Sequence, residues 1–399
     1  MKKIVIFGAG KIGRSFIGQL FSMSGYEVVF VDIVEDIINE LNRRGSYNVI
    51  IKGDKEEVIE IRNVRGVLAT DKEKTAREVS TADILASCVE NNALPHIAPL
   101  IAAGLKKRYE RDSQLPLDII IAVNMRNASE FFYRELKKVL DEDYPIDRLV
   151  GLVETSIGKM VPIMTGEDME KDILQIFAEP YNDLILDKKA FKNPIPDVRG
   201  LCPKENMKAW VDRKLYIHNL GHAAIAYLGY LYDSSFVYVY EALAVEELHK
   251  KTRETMLQSA EILTREYPKE FMEIDLERHV DSLIKRIGNR ALGDTIYRIG
   301  RDLIRKLGPE DRLVGAIMLG LRHDMDVDLI LYALVSGFYF RAVDENGNMY
   351  ERDVEFVDKH FSRGIDHILL HVCGFDPREH EDIFKKCRQY AGEIEKSLI

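Results

Sequence analysis

Cysteine is scarce in this 399-residue chain: Cys88, Cys202, Cys373 and Cys387 lie far apart and form no C-x-x-C pair. That argues against a disulfide framework or a zinc ribbon and makes a reducing cytoplasm the expected compartment. Long apolar runs are missing as well. The opening Met1-Lys2-Lys3-Ile4-Val5-Ile6-Phe7-Gly8 is too short for a signal-peptide core of ~7–15 residues. No stretch approaches the ~18–20 apolar residues needed to cross a bilayer. Proline and glycine, at 12 and 26, are far below collagenous or low-complexity levels. Nor is there an excess of base. The 56 basic and 66 acidic side chains leave a formal charge of −10, without the basic footprint of a nucleic-acid binder. A local basic pocket for a small anion is compatible with that balance. What remains is a globular composition, 46% hydrophobic and 31% charged, long enough for two domains.

The first half alternates short β-branched runs with helical patterns. Ile4–Phe7, Val28–Asp32, Asp83–Cys88, Ile119–Val123 and Leu149–Glu154 read as buried parallel strands. Phe16, Ile17, Leu20 and Phe21 give Arg14–Ser24 a helical spacing between the first two. Strand, helix, strand in this compass is a βαβ unit of a doubly wound sheet. Lys192-Asn193-Pro194-Ile195-Pro196-Asp197 reads as a connector. Beyond it long helical patterns dominate, over 206–232, 237–267, 276–288, 294–307, 312–321 and 326–340. The expected architecture is α/β plus all-α: a Rossmann-type domain over residues 1–192, then a helical domain over 193–399. No sustained heptads demand association, and a monomer is expected.

Gly8-Ala9-Gly10-Lys11-Ile12-Gly13 follows the first strand and opens the first helix. In such a loop Gly8 permits the tight turn, Gly10 lets backbone approach a pyrophosphate, and Gly13 lets helix and strand pack. The anion then sits at a helix N-terminus, among free N–H groups. Asp32 ends the second strand 24 positions after Gly8, where a carboxylate binds the adenosine ribose hydroxyls. A carboxylate there repels a 2′-phosphate, and Ile33 and Val34 follow rather than arginine, so NAD is favoured over NADP.

In the second half the densest polar segment runs from Asp212 to His222. On a regular helix Lys214, His218 and His222 fall within ~80° of one another, with Asn219 at ~140° from Lys214. A dehydrated lysine can take the proton of a secondary alcohol, and a neutral amide can donate to the developing alkoxide. A partly exposed helix with a solvated lysine is the competing reading. Further on, Arg298, Arg301, Arg305 and Lys306 recur at three- and four-residue steps. The three arginines can share a helix face as an anion clamp, or form a solvated basic face paired with Asp294, Asp302 and Glu310.

Lys214-x4-Asn219-x2-His222 resembles the signature of the polyol-specific long-chain dehydrogenases, the mannitol dehydrogenase family, and most of all its members acting on mannitol 1-phosphate. The likeness extends over Phe7–Arg14, Ser46-Tyr47-Asn48-Val49, Asn124-Met125, Arg213-Lys214 and Arg298–Arg301 with Arg305-Lys306-Leu307. The resemblance implies that Lys214 is the acid/base, that Asn124 and Asn219 stabilise the alkoxide, and that His222 orients substrate. It further implies that Arg298 and Lys306 contact substrate, a sugar alcohol or ketose carrying a phosphate. The implied reaction interconverts mannitol 1-phosphate and fructose 6-phosphate, with NAD accepting hydride and no metal required. The family's Val-Asp-Arg segment is here Ile157-Gly158-Lys159, and Ser87–Asn92 lacks its usual Val-Gly pair. These departures leave a hexuronate such as tagaturonate or fructuronate, an unphosphorylated polyol, and a non-catalytic NAD sensor as alternatives.

Three signals carry less. His367 and His371 have i,i+4 spacing but no glutamate after the first histidine, so a helix-face pair is expected. Asp324, Asp326 and Asp328 mimic a calcium loop, but Leu329 stands at the required glycine and Val335 at the bidentate glutamate. The aromatics from Tyr227 to Tyr240 are expected to be packing residues.

Overall fold

A computed structural model describes residues 1–53 and 55–397. The chain divides into two compact units, Met1–Val211 and Asp212–Ile399.

Eleven strands lie in the first unit: β1 (Lys3–Phe7), β2 (Glu27–Asp32), β3 (Ser46–Lys52), β4 (Glu56–Arg62), β5 (Val64–Leu68), β6 (Ile84–Ser87), β7 (Leu117–Ile121), β8 (Val150–Ser156), β9 (Ile176–Ala178), β10 (Leu184–Asp187) and β11 (Leu201–Lys204). Eight form one sheet in the order β11-β10-β8-β7-β6-β1-β2-β5. From β5 to β8 every pairing is parallel; β10 runs antiparallel to β8, and β11 parallel to β10. Taking β1, β2, β5, β6, β7 and β8 as strands one to six gives the order 3-2-1-4-5-6 of a dinucleotide-binding sheet. Its order reverses between β1 and β6, where such sheets open a crevice at their carboxyl ends. Ile4, Val5, Ile6 and Phe7 are buried, as a strand covered on both faces requires. Val5 and Phe7 pack into one apolar cluster, and Ile4 and Ile6 into the other.

The five strands read from sequence are present, with no end shifted by more than two residues. The sequence reading passed over β5, β10 and β11 of the large sheet, and over β3, β4 and β9, which form a separate small sheet in the order β4-β3-β9. In β3 only alternate residues, Tyr47, Val49 and Ile51, are buried, so it lacks the continuous apolar run that marks a central strand. The connector at 192–197 does not end the first unit. Backbone N–H groups of Lys192 and Asn193 donate to the buried Asp118 carboxylate on β7, at 2.7 and 3.1 Å, and β11 then extends the sheet. The division therefore falls at Val211–Asp212 rather than at 192–193.

The second unit is helical apart from the isolated bridges Tyr238–Thr295 and Val343–Met349 among the described residues. Its central helix, Leu220–Tyr232, buries every residue from Leu220 to Gly229. Helices Glu246–Glu266, Glu273–Ile287, Val314–Arg322 and Asp328–Phe338 carry further buried stripes. Two predicted helices are each interrupted. The 237–267 pattern divides into Val239–Leu243 and Glu246–Glu266, and 294–307 divides into Ile296–Gly300 and Leu303–Lys306.

Candidate active site

The glycine loop is fixed at its start, where Gly8 N donates to Val31 O at 2.8 Å. Gly8 has φ +101°, and a Cβ there would lie 2.8 Å from the Cys88 carbonyl oxygen at the end of β6. At Gly13 a Cβ would lie 2.0 Å from the Gly8 carbonyl oxygen, so only glycine fits. Around Gly10, by contrast, nothing lies within 4 Å of a Cβ position. The two structural glycines are packed and the third faces open space, which fits a loop shaped to receive a pyrophosphate. Asp32 accepts from Ala9 N at 2.6 Å and from Val34 N at 3.0 Å, so its carboxylate ties the loop to the end of β2. Lys11 is exposed, while Ile12 packs against the sheet's apolar cluster. Asn124 lies just beyond β7, exposed, with its carbonyl accepting from Asn91 Nδ2 at 3.5 Å. It stands where ligands approach a doubly wound sheet, at the carboxyl end of a strand.

In the second unit Lys214 does not sit on a regular helix. Residues Lys214–Asn219 form a π-helical turn, in which Leu220 N reaches Leu215 O. The Ser259 hydroxyl donates to Tyr216 O at 2.6 Å, satisfying a carbonyl within the widened turn. Because i→i+5 bonding takes more residues per revolution, Asn219 comes nearer to the Lys214 side than the ~140° of a regular helix. The Asn219 side chain makes no hydrogen bond among the described residues, and its carbonyl accepts from Arg312 at 3.3 Å. Single-turn π segments often mark functional sites, because they redirect a side chain without breaking the helix.

The electrostatics around that turn are cationic. Dehydration and then the Arg312 charge push Lys214 down to about 8 from 10.5. The rings of buried His218 and His222 lie against each other at a tilt of 47°, with centroids 4.8 Å apart. Burial holds His218 well below its usual range, with the charges of His222 and Lys214 adding to it. His222 is pushed down to about 3, first by burial and then by Arg312, Arg298, Lys306 and Arg286. Its Nε2 is buried and has no hydrogen-bond partner. Such an atom is costly to leave bare and marks a place where a polar ligand group fits. Lys306, also buried, donates to the Ile299 carbonyl, and burial holds it well below its ordinary value.

The predicted arginine face does not form. Gly300 ends the first short helix, and Asp302, at φ +76°, starts the second. Buried Asp353 caps the break, accepting from Asp302 N at 3.0 Å and Leu303 N at 2.7 Å. Arg298 pairs with Asp294. The Arg301 guanidinium lies 5.3 Å from the Tyr297 and Tyr350 ring centroids. Arg305 pairs with Asp302 at 2.5 Å and Asp311 at 3.0 Å. Arg298, Arg301 and Arg305 therefore do not share one helix face; the cations that act on His222 are Arg298, Lys306, Arg312 and Arg286.

Comparison with known proteins gives this arrangement its kin. The family model described as mannitol dehydrogenase Rossmann domain matches residues 2–200, and the mannitol dehydrogenase C-terminal domain matches residues 206–367. The chain belongs to the mannitol dehydrogenase family. The mannitol-1-phosphate 5-dehydrogenase of Halalkalibacterium halodurans is 31% identical over 377 residues, covering 93% of this chain and 96% of that one. The enzyme of that name from Lactococcus lactis subsp. lactis is 33% identical, covering 79% and 82%. Among solved structures, substrate-free D-sorbitol dehydrogenase aligns with TM-score 0.82 at 17% identity, covering 98% of this chain and 93% of that one. Pseudomonas fluorescens mannitol 2-dehydrogenase, solved with NAD and D-mannitol, aligns at 0.71 and 16% identity, covering 100% and 93%. At these identities the likeness is one of fold.

For this member of the mannitol dehydrogenase family, sequence reasoning missed Arg286 and Arg312 and gave His218 no role. Arg286 and His279 stand seven residues apart on the Glu273–Ile287 helix, a spacing that puts both on one face. Arg312 follows Asp311, which it grips at 2.7 Å, so in sequence it reads as half of an ion pair. The His367 and His371 rings lie 4.3 Å apart, tilted at 44°, and no group of three His, Cys, Asp or Glu that could hold a metal ion occurs among the described residues. Asp326 accepts from Gln258 at 3.1 Å, and Asp328 pairs with Lys386. Tyr238 stacks on Tyr240, and Tyr227 packs on Phe340. At the departures from the family pattern, a Cβ on Gly158 would meet only the Tyr181 ring, at 3.5 Å, and buried Lys159 donates to Asn182 at 2.9 Å. No described helix is long and apolar enough to cross a membrane.

Proposed function

We propose that the chain interconverts a polyol phosphate and a ketose phosphate, mannitol 1-phosphate and fructose 6-phosphate foremost, using NAD. Gly8, Gly10, Lys11, Ile12, Gly13 and Asp32 would hold the cofactor, which when bound supplies the hydride acceptor. Lys214 takes the hydroxyl proton in the oxidation direction and returns it in reduction. A lysine held near 8 has an appreciable free-amine fraction at neutral pH, which an ordinary lysine lacks. Asn219 donates to the oxygen as it gains alkoxide character. His222 Nε2 takes a substrate hydroxyl as its missing partner.

The observation that carries this reading is the meeting of a dehydrated lysine, an unpartnered histidine nitrogen and several cations around one turn of helix. Arg298, Lys306, Arg312 and Arg286 all raise the potential at His222. Such a field favours an anionic substrate over a neutral polyol, and guanidinium forks suit phosphate oxygens. A carboxylate would be drawn in too, which is the competing substrate class. The test is a set of initial rates with mannitol 1-phosphate and mannitol under NAD, and with fructose 6-phosphate and tagaturonate under NADH and NADPH. We expect kcat/KM for mannitol 1-phosphate at least about a hundredfold above that for mannitol, consistent with loss of charge-assisted contacts. Preference for tagaturonate would replace the phosphate reading with the hexuronate one. NADH binding without turnover of any of these would point to a sensor.

A further inference from the structure

Arg14 stands directly after Gly13, and its guanidinium is buried beneath the glycine loop. Its Nε donates to the Ala9 carbonyl at 2.7 Å. Its terminal nitrogen donates to the carbonyls of Leu174 at 2.6 Å and Ile173 at 3.1 Å, just before β9. The backbone of Arg14 is fixed too, since the buried Tyr47 hydroxyl donates to its carbonyl at 2.7 Å. Ala9 is consequently gripped at both of its polar atoms. Asp32 takes its N–H and Arg14 takes its C=O. Among the described residues no carboxylate forms an ion pair with Arg14, so its charge is not cancelled at contact distance.

We infer that Arg14 is a positioning residue of the dinucleotide loop, one that fixes the Ala9 carbonyl and sets a buried positive charge under the place of the pyrophosphate. The reason lies in Asp32. A carboxylate suited to ribose hydroxyls also stands at the loop, 2.6 Å from Ala9 N, where it repels a pyrophosphate dianion. A guanidinium on the other side of the same residue offsets that repulsion. Arginine suits the place, because it stays charged when buried and its fork can satisfy several carbonyls at once. Burial does lower its pKa, with the Asp32 and Asp172 charges opposing the shift, but from a value of 12.5. Lysine has no such fork to spread over Ala9, Ile173 and Leu174.

The inference rests on dinucleotide binding at this loop but not on the identity of the polyol. Its test is equilibrium binding by the full chain, with NADH followed by fluorescence and with ADP-ribose and adenosine followed by displacement of NADH. For Arg14→Met the dissociation constants of NADH and ADP-ribose should rise about tenfold or more, while that of adenosine, which lacks the pyrophosphate, should rise less than about threefold. Arg14→Lys, which keeps charge and loses the fork, should recover part of the loss for NADH and ADP-ribose. A thermal melt establishes that each variant is folded. If Arg14→Met does not fold, Arg14→Gln is judged on the same ligands by the same criteria. Unchanged NADH binding in a folded neutral variant overturns the inference. Equal weakening of adenosine and ADP-ribose also overturns it, by reducing Arg14 to general support of the fold. A wild-type chain that binds no NADH removes the loop reading and the inference together.

Discussion

Replacing Arg312 with glutamine should move the pH dependence of polyol oxidation upward. Lys214 is pushed down to about 8 from 10.5, by dehydration first and the Arg312 charge second. A shift of that size raises the free-amine fraction at pH 7 roughly 300-fold and corresponds to about 3 kcal/mol between the two protonation states. If Lys214 is the base, kcat/KM for oxidation climbs with pH and levels off above about 8. Removing a like charge favours the ammonium, so the apparent pKa of Arg312→Gln rises, by about 0.5–1 unit. At pH 7 that lowers the rate about three- to tenfold. Arg312 also donates to Asn219 O at 3.3 Å and pairs with Asp311 at 2.7 Å, so the substitution removes more than charge. Arg312→Lys separates the two effects. It keeps the charge and loses the fork, and its rising limb should stay near that of the wild type even if its plateau falls. The assay is initial NADH formation at constant ionic strength from pH 6 to 10. An Arg312→Gln limb that stays in place or moves to lower pH would refute the electrostatic argument. A Lys214→Met variant keeping more than about a hundredth of wild-type turnover would refute the lysine's role itself.

Three more outcomes follow from the same geometry. Gly10→Ala should melt within about 1 °C of wild type yet bind NADH about tenfold more weakly, because its Cβ meets only open space. Gly13→Ala, with a Cβ 2.0 Å from a backbone oxygen, should lose about 5 °C or more; equal melting of the two would contradict the loop geometry. His279, pushed down to about 3 by burial and then by Arg213 and Arg286, stays neutral in the fold while the unfolded chain protonates near 6.5. Stability is therefore lost as pH falls through that window, at up to ~1.4 kcal/mol per unit for this residue. Urea titrations should show His279→Leu losing about 2 kcal/mol less than wild type between pH 6.5 and 5, and parallel profiles would count against it. Asp353→Ala strips the partners from Asp302 N and Leu303 N and should cost about 2 kcal/mol in denaturant unfolding, whereas a cost under about 0.5 would show that the break needs no cap.

Much of the first unit was legible because its determinants are local. A β-branched run, three glycines in fixed register and an acid at the end of the next strand each act within a few residues. Together they leave one favourable topology. The small sheet escaped notice because an amphipathic hairpin of charged residues has no long apolar signal. In the second unit the helices up to residue 340 were legible from periodicity, but their interruptions and the later helices Glu351–Lys359, Ile365–His371 and Glu381–Ser397 were not. The break at Arg301 and Asp302 depends on the carboxylate of Asp353, some fifty residues away, and its effect is to disperse a row of arginines that spacing alone aligns.

By itself the sequence determined which side chains are available: the lysine, amide and histidine within nine residues of one helix, and the glycine loop with its acid. Tertiary packing decided what state they are in. The lysine's lowered affinity for its proton, the bare Nε2 of His222 and the field of Arg286, Arg298, Lys306 and Arg312 come from segments far apart in the chain. Dehydration and Coulomb interaction depend on distance in space, and a list of residues in order records only distance along the backbone.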